Sequence, residues 1–483
     1  MNRLATACLV ATILVLTSFA SAETPKPNVL FIISDDLNNS LACYGAPTKT
    51  PNLDKHAARG VRFDRAYCQY PLCGPSRASL MSGMRPDKIG VLTNGPTVRA
   101  VRPDVVTLPQ LFRNNGYFAA RVGKIYHLGI PGGVGTPGPD DPQSWDHTFN
   151  PSGAEFKTPG EEHNPTPKQG QGFRRVLGNG EGVEQADYQA ADEAIRLLNA
   201  HTDKPFFLAV GFIRPHVPVI APRKYFEMYP MDTIALPKVP ANDRDDIPAA
   251  AFMHARPNWD MTDADCRESL RAYYACVSFT DAQAGRVLDE LDKLALTANT
   301  IVVFVGDHGY LLGEHAAWQK MMLFEPVARV PMLVAAPGVK PSSSKSLVEM
   351  IDLYPTVAQL ANLTPPKEID GVSLVPVLKE PTAKVKDAAY TQLRRKDVSG
   401  RTVRTDRWRY TEWRTRGDAN AAEAAEAANA ANAADSAVVG VELYDEQNDP
   451  AEHENLAKNP AHAATLASMQ KLLEPRLPPG PSH

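Results

Sequence analysis

Three apolar runs that each stop at charge-bearing residues constrain this chain more than any other feature. Asn28-Val29-Leu30-Phe31-Ile32-Ile33-Ser34 ends at Asp35-Asp36. Thr300-Ile301-Val302-Val303-Phe304-Val305-Gly306 ends at Asp307-His308, and Pro205 to Phe212 ends near Arg214-Pro215-His216. Apolar runs without polar alternation are strands buried on both faces, the parallel arrangement. Helical patterns alternate with them at Gln185–Ala200 and at Arg267–Ala295, the second with a break expected. This alternation predicts an α/β fold with a large central, mostly parallel sheet flanked by helices. Ligands bind such sheets beyond the carboxyl ends of the strands, so the polar residues closing these runs mark a site.

The chain of 483 residues is long enough for one large core and a smaller domain beside it. A formal net charge of -4 argues against a nucleic-acid or anionic-membrane partner, which calls for a basic face. Residues 1–22 read as a secretory signal: Arg3, an apolar core from Ala7 to Leu16, then Ala20-Ser21-Ala22 as a cleavage site. The expectation is export to the periplasm or beyond the cell, with no membrane attachment after cleavage. Of six cysteines, Cys8 leaves with the signal. Cys43, Cys68, Cys266 and Cys276 are free to pair in an oxidising compartment, and the sequence does not fix which do. A bond between Cys266 and Cys276 is unfavourable, because ten residues of helix place them about 15 Å apart.

Gly129–Glu184 is rich in Gly, Pro and polar residues and reads as a long functional surface loop. Pro376 to Asp387 reads as a linker between a catalytic domain, 23–380, and a smaller C-terminal α+β domain, 381–483. In the latter, Arg401–Arg414 alternates like a strand, and a helix is expected from Pro460 to Leu473. Ala419–Asp435 is an Ala-rich, low-complexity insertion with too few large apolar residues to pack.

The chemistry-bearing residues lie around these strand ends. Asp35 and Asp36 are adjacent carboxylates, hard oxygen donors suited to Ca²⁺ or Mg²⁺, and Asp307-His308 closes a second strand in the same way. Gly123-Lys124-Ile125-Tyr126-His127 spaces a cation and an imidazole to share one face of a helical turn. His216 follows a third strand, and Lys320 lies downstream of Asp307. His147 and His315 read as structural. The run Cys73-Gly74-Pro75-Ser76-Arg77, continued by Ala78-Ser79-Leu80-Met81-Ser82-Gly83, is the most specific of these signals.

That run resembles the signature of the type I sulfatases, in which the Cys of C-x-P-x-R is oxidised to formylglycine by a maturation enzyme. The order Asp-Asp, C-x-P-x-R, G-K-x-x-H, P-H, G-D-H-G and a downstream Lys is similar to that family from about Pro27 to Leu456. Among its subgroups, the chain resembles the iduronate-2-sulfatases, with His308 where most sulfatases carry Asn or Gln. Ser82, where Thr is usual, is a mild departure. The resemblance implies an alkaline-phosphatase-like fold, with Asp35, Asp36, Asp307 and His308 binding Ca²⁺ together with residue 73. It implies that Arg77, Lys124 and Lys320 hold the sulfate, that His127 is a base, and that His216 and Lys320 assist departure of the alcohol. The implied substrate is a sulfated saccharide, most closely a 2-O-sulfated uronic acid. A carboxylated sugar calls for one more cation, for which Arg214 or an Arg of the Gly129–Glu184 loop is the candidate.

Two other readings fit parts of the pattern. A phosphomonoester or phosphonate ester hydrolase of the same fold uses the same metal and cations. A non-catalytic glycan-binding protein would carry Cys73 unmodified.

Overall fold

The computed structural model describes residues 26–474, apart from 156, 171, 202, 255, 396 and 417–434. The signal segment and the Ala-rich stretch 419–434 lie outside the described residues. Among those described, no helix is long and apolar enough to cross a membrane.

Eight strands form the central sheet. Their order is Ser342–Glu349, Val61–Tyr67, Arg329–Ala335, Thr300–Gly306, Asn28–Asp35, Phe206–Pro215, Phe118–Gly123 and His147–Phe149. Only Arg329–Ala335 runs against its neighbours; the other pairings are parallel. The three apolar runs are therefore adjacent, with Asn28–Asp35 between the other two. Period-two alternation splits each of them between two cores. Val29, Phe31 and Ile33 enter one, while Leu30 and Ile32 enter the other. Burial on both faces explains why these strands carry no polar positions until they end.

The second core is closed by Asp263–Lys293, a 31-residue helix opened by a Thr262–Asp265 capping box. It runs without the break expected in it. Gly285 in this helix lies against the Asn52 side chain, which a Cβ at 285 would push aside. The predicted helix Gln185–Ala200 is present as Ala186–Ala200.

The long loop is more structured than expected: Gly160–His163 and Arg175–Gly178 pair as strands, the latter also with Val219–Pro222. The supposed linker begins as a short helix, Val375–Lys379, because Val377 and Leu378 are drawn into the first core. After it comes an antiparallel sheet of Ala389–Arg394, Val398–Arg404, Trp408–Arg416 and Asp435–Asp445. The stretch Arg401–Arg414 is thus two strands with a turn at Thr405–Arg407. The helix Ala463–Leu473 packs on this sheet through Met469 and Leu473.

The two sheets are joined next to the Cys73 segment. Gln392 N–H donates to the Gln69 carbonyl at 3.0 Å and Thr391 Oγ1 to the Cys68 carbonyl at 2.6 Å. Cys43, Cys68, Cys73, Cys266 and Cys276 are all unpaired thiols. Cys266 and Cys276 share the long helix, as expected.

Candidate active site

Four parallel strands and one helix converge on a buried cluster of charges. The helix Cys73–Ser82 is buried along its whole length and begins at Cys73 itself. Cys73 and Arg77 are four residues apart and so share one face. No side chain of Leu72 caps this helix; instead the Gly74 N–H donates to Asn94 Oδ1 at 2.8 Å. A Cβ at Gly74 would lie 2.8 Å from both that oxygen and the Thr93 carbonyl, so the loop admits only glycine. The unpaired N–H groups of a helix start favour negative charge at position 73.

Around Cys73 the opposite charges interlock. Arg77 Nε donates to Asp307 Oδ2 at 2.8 Å and Nη2 to Asp35 Oδ1 at 3.2 Å, while Nη1 binds the carbonyls of Lys124 and Ile125. Lys124 is ion-paired with Asp35. Lys320 Nζ lies 2.6 Å from Asp36 Oδ1 and 3.2 Å from Cys73 Sγ. His308 Nε2 lies 3.5 Å from Cys73 Sγ and 3.4 Å from Asp36 Oδ1, and His216 Nε2 lies 3.9 Å from Asp36 Oδ2.

Burial would raise the Cys73 thiol, but Lys124 and Lys320 outweigh it and hold it well below the usual thiol range. His127 and His216 add hydrogen bonds in the same direction. Burial also works to raise Asp35, and its cationic neighbours, Lys124 foremost, keep it below the carboxylate range. Asp307 goes the other way: burial pushes it up to about 7, against His308 and Arg77 beside it. Burial alone would lower His308, yet Asp307 holds it at about 9.

The carboxylates of the cluster, Asp35, Asp36 and Asp307, suit a hard divalent cation. Ligand atoms of Asp35, Cys73, Asp307 and His308 lie within 4.8 Å of one another, as do those of Asp35, Asp36, Cys73 and His216. The buried Asp36 Oδ2 has no hydrogen-bond partner. Asp36 also takes the left-handed backbone region, φ 61°, which a non-glycine residue occupies at a cost. It is held there by Tyr273, whose hydroxyl donates to the Asp36 carbonyl at 2.7 Å, and by Asp307 Oδ1, which accepts the Asp36 N–H at 3.0 Å. Both imidazoles are oriented through their far nitrogens. His308 Nδ1 sits 3.0 Å from the Gly309 carbonyl and His216 Nδ1 2.6 Å from the Val217 carbonyl. Each Nδ1 therefore carries a proton, and each Nε2 is directed into the site.

The ten residues given catalytic or metal roles in the sequence are brought to this cluster: Asp35, Asp36, Cys73, Arg77, Lys124, His127, His216, Asp307, His308 and Lys320. Two expectations need correction. Lys124 and His127 do not share a helical turn; they follow Gly123 in an irregular bend, because Lys124 N–H continues the sheet by donating to the Gly211 carbonyl at 3.0 Å. Arg214 is not available to a substrate: it is 1% exposed and ion-paired with Glu155 beneath the His216 loop. His147 meets Glu193 at 2.8 Å and His315 meets Asp243 at 3.0 Å, away from Cys73. Asn94 and Tyr273 were not legible in the sequence. Tyr273 looks like any member of a helix's buried stripe, and Asn94 lies in an ordinary Asn-Gly turn.

Carboxylates, imidazoles and fixed cations at the carboxyl end of an α/β sheet are the groups a hydrolase of anionic esters uses, and the carboxylates could hold a metal. The comparisons narrow this. The Sulfatase family profile matches residues 27–363, and that of N-sulphoglucosamine sulphohydrolase, C-terminal, matches 313–422. A sulfatase of Formosa agariphila is 31% identical, covering 93% of this chain and 87% of its own length. Iduronate 2-sulfatase of Mus musculus is 34% identical, covering 72% of this chain and 70% of its own. The solved phosphonate monoester hydrolase of Silicibacter pomeroyi aligns over 93% of this chain and 95% of its own with a TM-score of 0.74. At 23% identity that likeness bears on the fold alone, which is the alkaline-phosphatase-like one. The chain belongs to the sulfatase family.

Proposed function

We propose that this protein is an exported, formylglycine-dependent sulfatase that hydrolyses O-sulfate esters of sulfated glycans, with 2-O-sulfated uronic acid at a non-reducing end as its substrate. The observation that carries the reading is the enclosure of Cys73 by the cations Arg77, Lys124 and Lys320, interlocked with Asp35, Asp36, Asp307 and His308. Three cations suit an ester whose three free oxygens share negative charge, and they sit in a buried setting where each acts strongly.

Asp35, Asp36, Asp307, His308 and residue 73 would hold Ca²⁺, which offsets charge on the sulfate oxygens when bound. Oxidised to formylglycine by a maturation enzyme, residue 73 supplies a hydrated aldehyde whose hydroxyl is the nucleophile. The remaining residues bind and move protons. Arg77 is anchored by four acceptors and keeps a fixed positive charge beside residue 73, which offsets charge on the sulfate. Lys124 and Lys320 take the other oxygens. His127 receives the proton that must leave residue 73 for sulfate to depart. His216 Nε2, aided by Lys320, gives a proton to the alcohol oxygen, a poor leaving group without one. Residues 1–22 act as the export signal, 23–380 as the catalytic domain and 381–483 as the smaller domain in this reading.

The uronate preference rests on His308 and on the likeness to iduronate 2-sulfatase. A panel of sulfated mono- and disaccharides tests it: 2-O-sulfated uronides should be turned over best. Preference for a neutral or N-sulfated sugar removes the substrate assignment. Faster turnover of phosphate or phosphonate esters than of any sulfate ester removes the sulfatase reading as well.

A further inference from the structure

The loop that carries His216 is built around a buried ion pair with no part in the ester chemistry above. Arg214 and Glu155 are 1% and 4% exposed, and the Glu155 carboxylate pairs with Arg214 Nη2. The same nitrogen donates to Gln185 Oε1 at 3.3 Å. The rest of the guanidinium faces into the loop: Nε donates to the Ile220 carbonyl at 2.9 Å and Nη1 to the His216 carbonyl at 3.4 Å. One side chain thus spans the turn from His216 to the strand Val219–Pro222.

The backbone at Arg214 is equally tied down. The N–H groups of Ile213 and Arg214 donate to Asp187 at 2.7 and 2.9 Å. The Arg214 carbonyl accepts from Ser34 Oγ at 2.7 Å and Thr280 Oγ1 at 3.2 Å. These side chains take over where the strand pairing shifts register between Ser34 and Asp35 and the ladder can no longer satisfy the backbone. From this frame His216 projects, Nδ1 on the Val217 carbonyl and Nε2 toward Asp36.

A buried ion pair is weak evidence for stability, since apolar residues of the same volume often serve as well. What a guanidinium fork adds is directed donors at fixed angles. Here two of them hold the turn around the imidazole, and Glu155 keeps the fork charged and oriented. We propose that the Glu155–Arg214 pair is a positioning device for His216, setting where Nε2 stands when it passes its proton to the departing alcohol oxygen. The proposal rests on the reading of His216 as that acid.

The test uses the matured, Ca²⁺-loaded enzyme and a series of sulfate esters whose leaving groups run from 4-nitrophenol through phenol to a sugar alcohol. An acid matters little for 4-nitrophenol and greatly for an alcohol. In Glu155→Gln, kcat should fall about 100-fold for the sugar sulfate and stay within about threefold for 4-nitrophenyl sulfate, with KM little changed. Glu155→Asp keeps the charge and shortens its reach, so it should fold and show a smaller change in the same direction. A uniform fall across the series, or none, in Glu155→Asp overturns the proposal. His216→Asn separates the two layers. If it leaves the leaving-group dependence unaltered, His216 is not the acid and both readings fail. If it steepens that dependence while neither Glu155 variant does, the positioning role alone fails.

Discussion

Replacing Gly211 by Ala should cripple the enzyme from a position that touches no substrate. Gly211 and Gly123 face each other in register near the carboxyl ends of two parallel strands. A Cβ built on Gly211 runs into the carbonyl of Lys124 and lies 2.8 Å from its nitrogen, inside the 3.0 Å that real Cβ contacts essentially never breach. These neighbours are backbone and cannot rotate aside, so the strand ends must part by about 1 Å, at a stability cost of about 1–3 kcal/mol. Two consequences reach the site. Lys124 moves off Asp35, and the Lys124 and Ile125 carbonyls that anchor Arg77 move with it. A displacement of this size in a positioning residue costs about 100-fold in rate. The assay is kcat on an aryl sulfate beside a thermal melt, with Gly129→Ala as control, since nothing lies within 4 Å of a Cβ there. The control should match the parent in both measurements. Parental kcat in Gly211→Ala would refute the claim that close backbone packing sets the place of Lys124.

Three further outcomes are expected. Intact mass should run about 18 Da below the unmodified chain, from oxidation of Cys73, and Cys73→Ala should melt normally while hydrolysing no sulfate; sulfatase activity in that variant would sink the nucleophile assignment. Dialysis against a chelator should abolish activity and added Ca²⁺ restore it, whereas Asp307→Ala should bind no Ca²⁺ by calorimetry; full binding in the variant would remove Asp307 from the ligand set. Asp281 is pushed up from 3.8 to about 6 by burial, despite accepting N–H groups of Leu53 and Asn52. Its folded form prefers the proton, so its contribution is present below about pH 4 and is lost as pH rises through about 6, a change of about 3 kcal/mol. In urea titrations, Asp281→Asn should therefore gain on the parent between pH 4 and 6, and a pH-independent difference would show that burial does not govern this carboxyl.

Much of this protein is legible one segment at a time. Runs such as Asn28–Ser34 and Thr300–Gly306 are apolar at consecutive positions because both faces are buried, and that pattern alone predicts parallel strands; that the two are neighbours is a finding of the structure. The polar residues that end them are informative because a strand can place charge only where the sheet stops. The Cys73–Arg77 motif is likewise a local matter, although only the structure shows that it opens a helix. Other features depend on partners distant in sequence. The long loop Gly129–Glu184 contains strands because Val219–Pro222 supplies a ladder for Arg175–Gly178. Lys124 and His127 leave helical geometry because the Gly211 carbonyl captures the Lys124 N–H.

Arg214 marks the division most clearly. Its neighbour His216 and its place after a buried strand made it a candidate for the substrate carboxylate. Whether an arginine is free to bind a substrate depends on which carboxylate lies beside it in space, and Glu155 is 59 residues away along the chain. The sequence by itself determined the buried parallel strands, the Cys73 motif and the set of charges at the strand ends, because hydrophobic period and short-range spacing are local properties. Tertiary structure alone decided which charges are spent on one another, which face the ester, and which, like Tyr273 and Glu155, hold the others in place. Ion pairing and desolvation act between groups that only folding brings together.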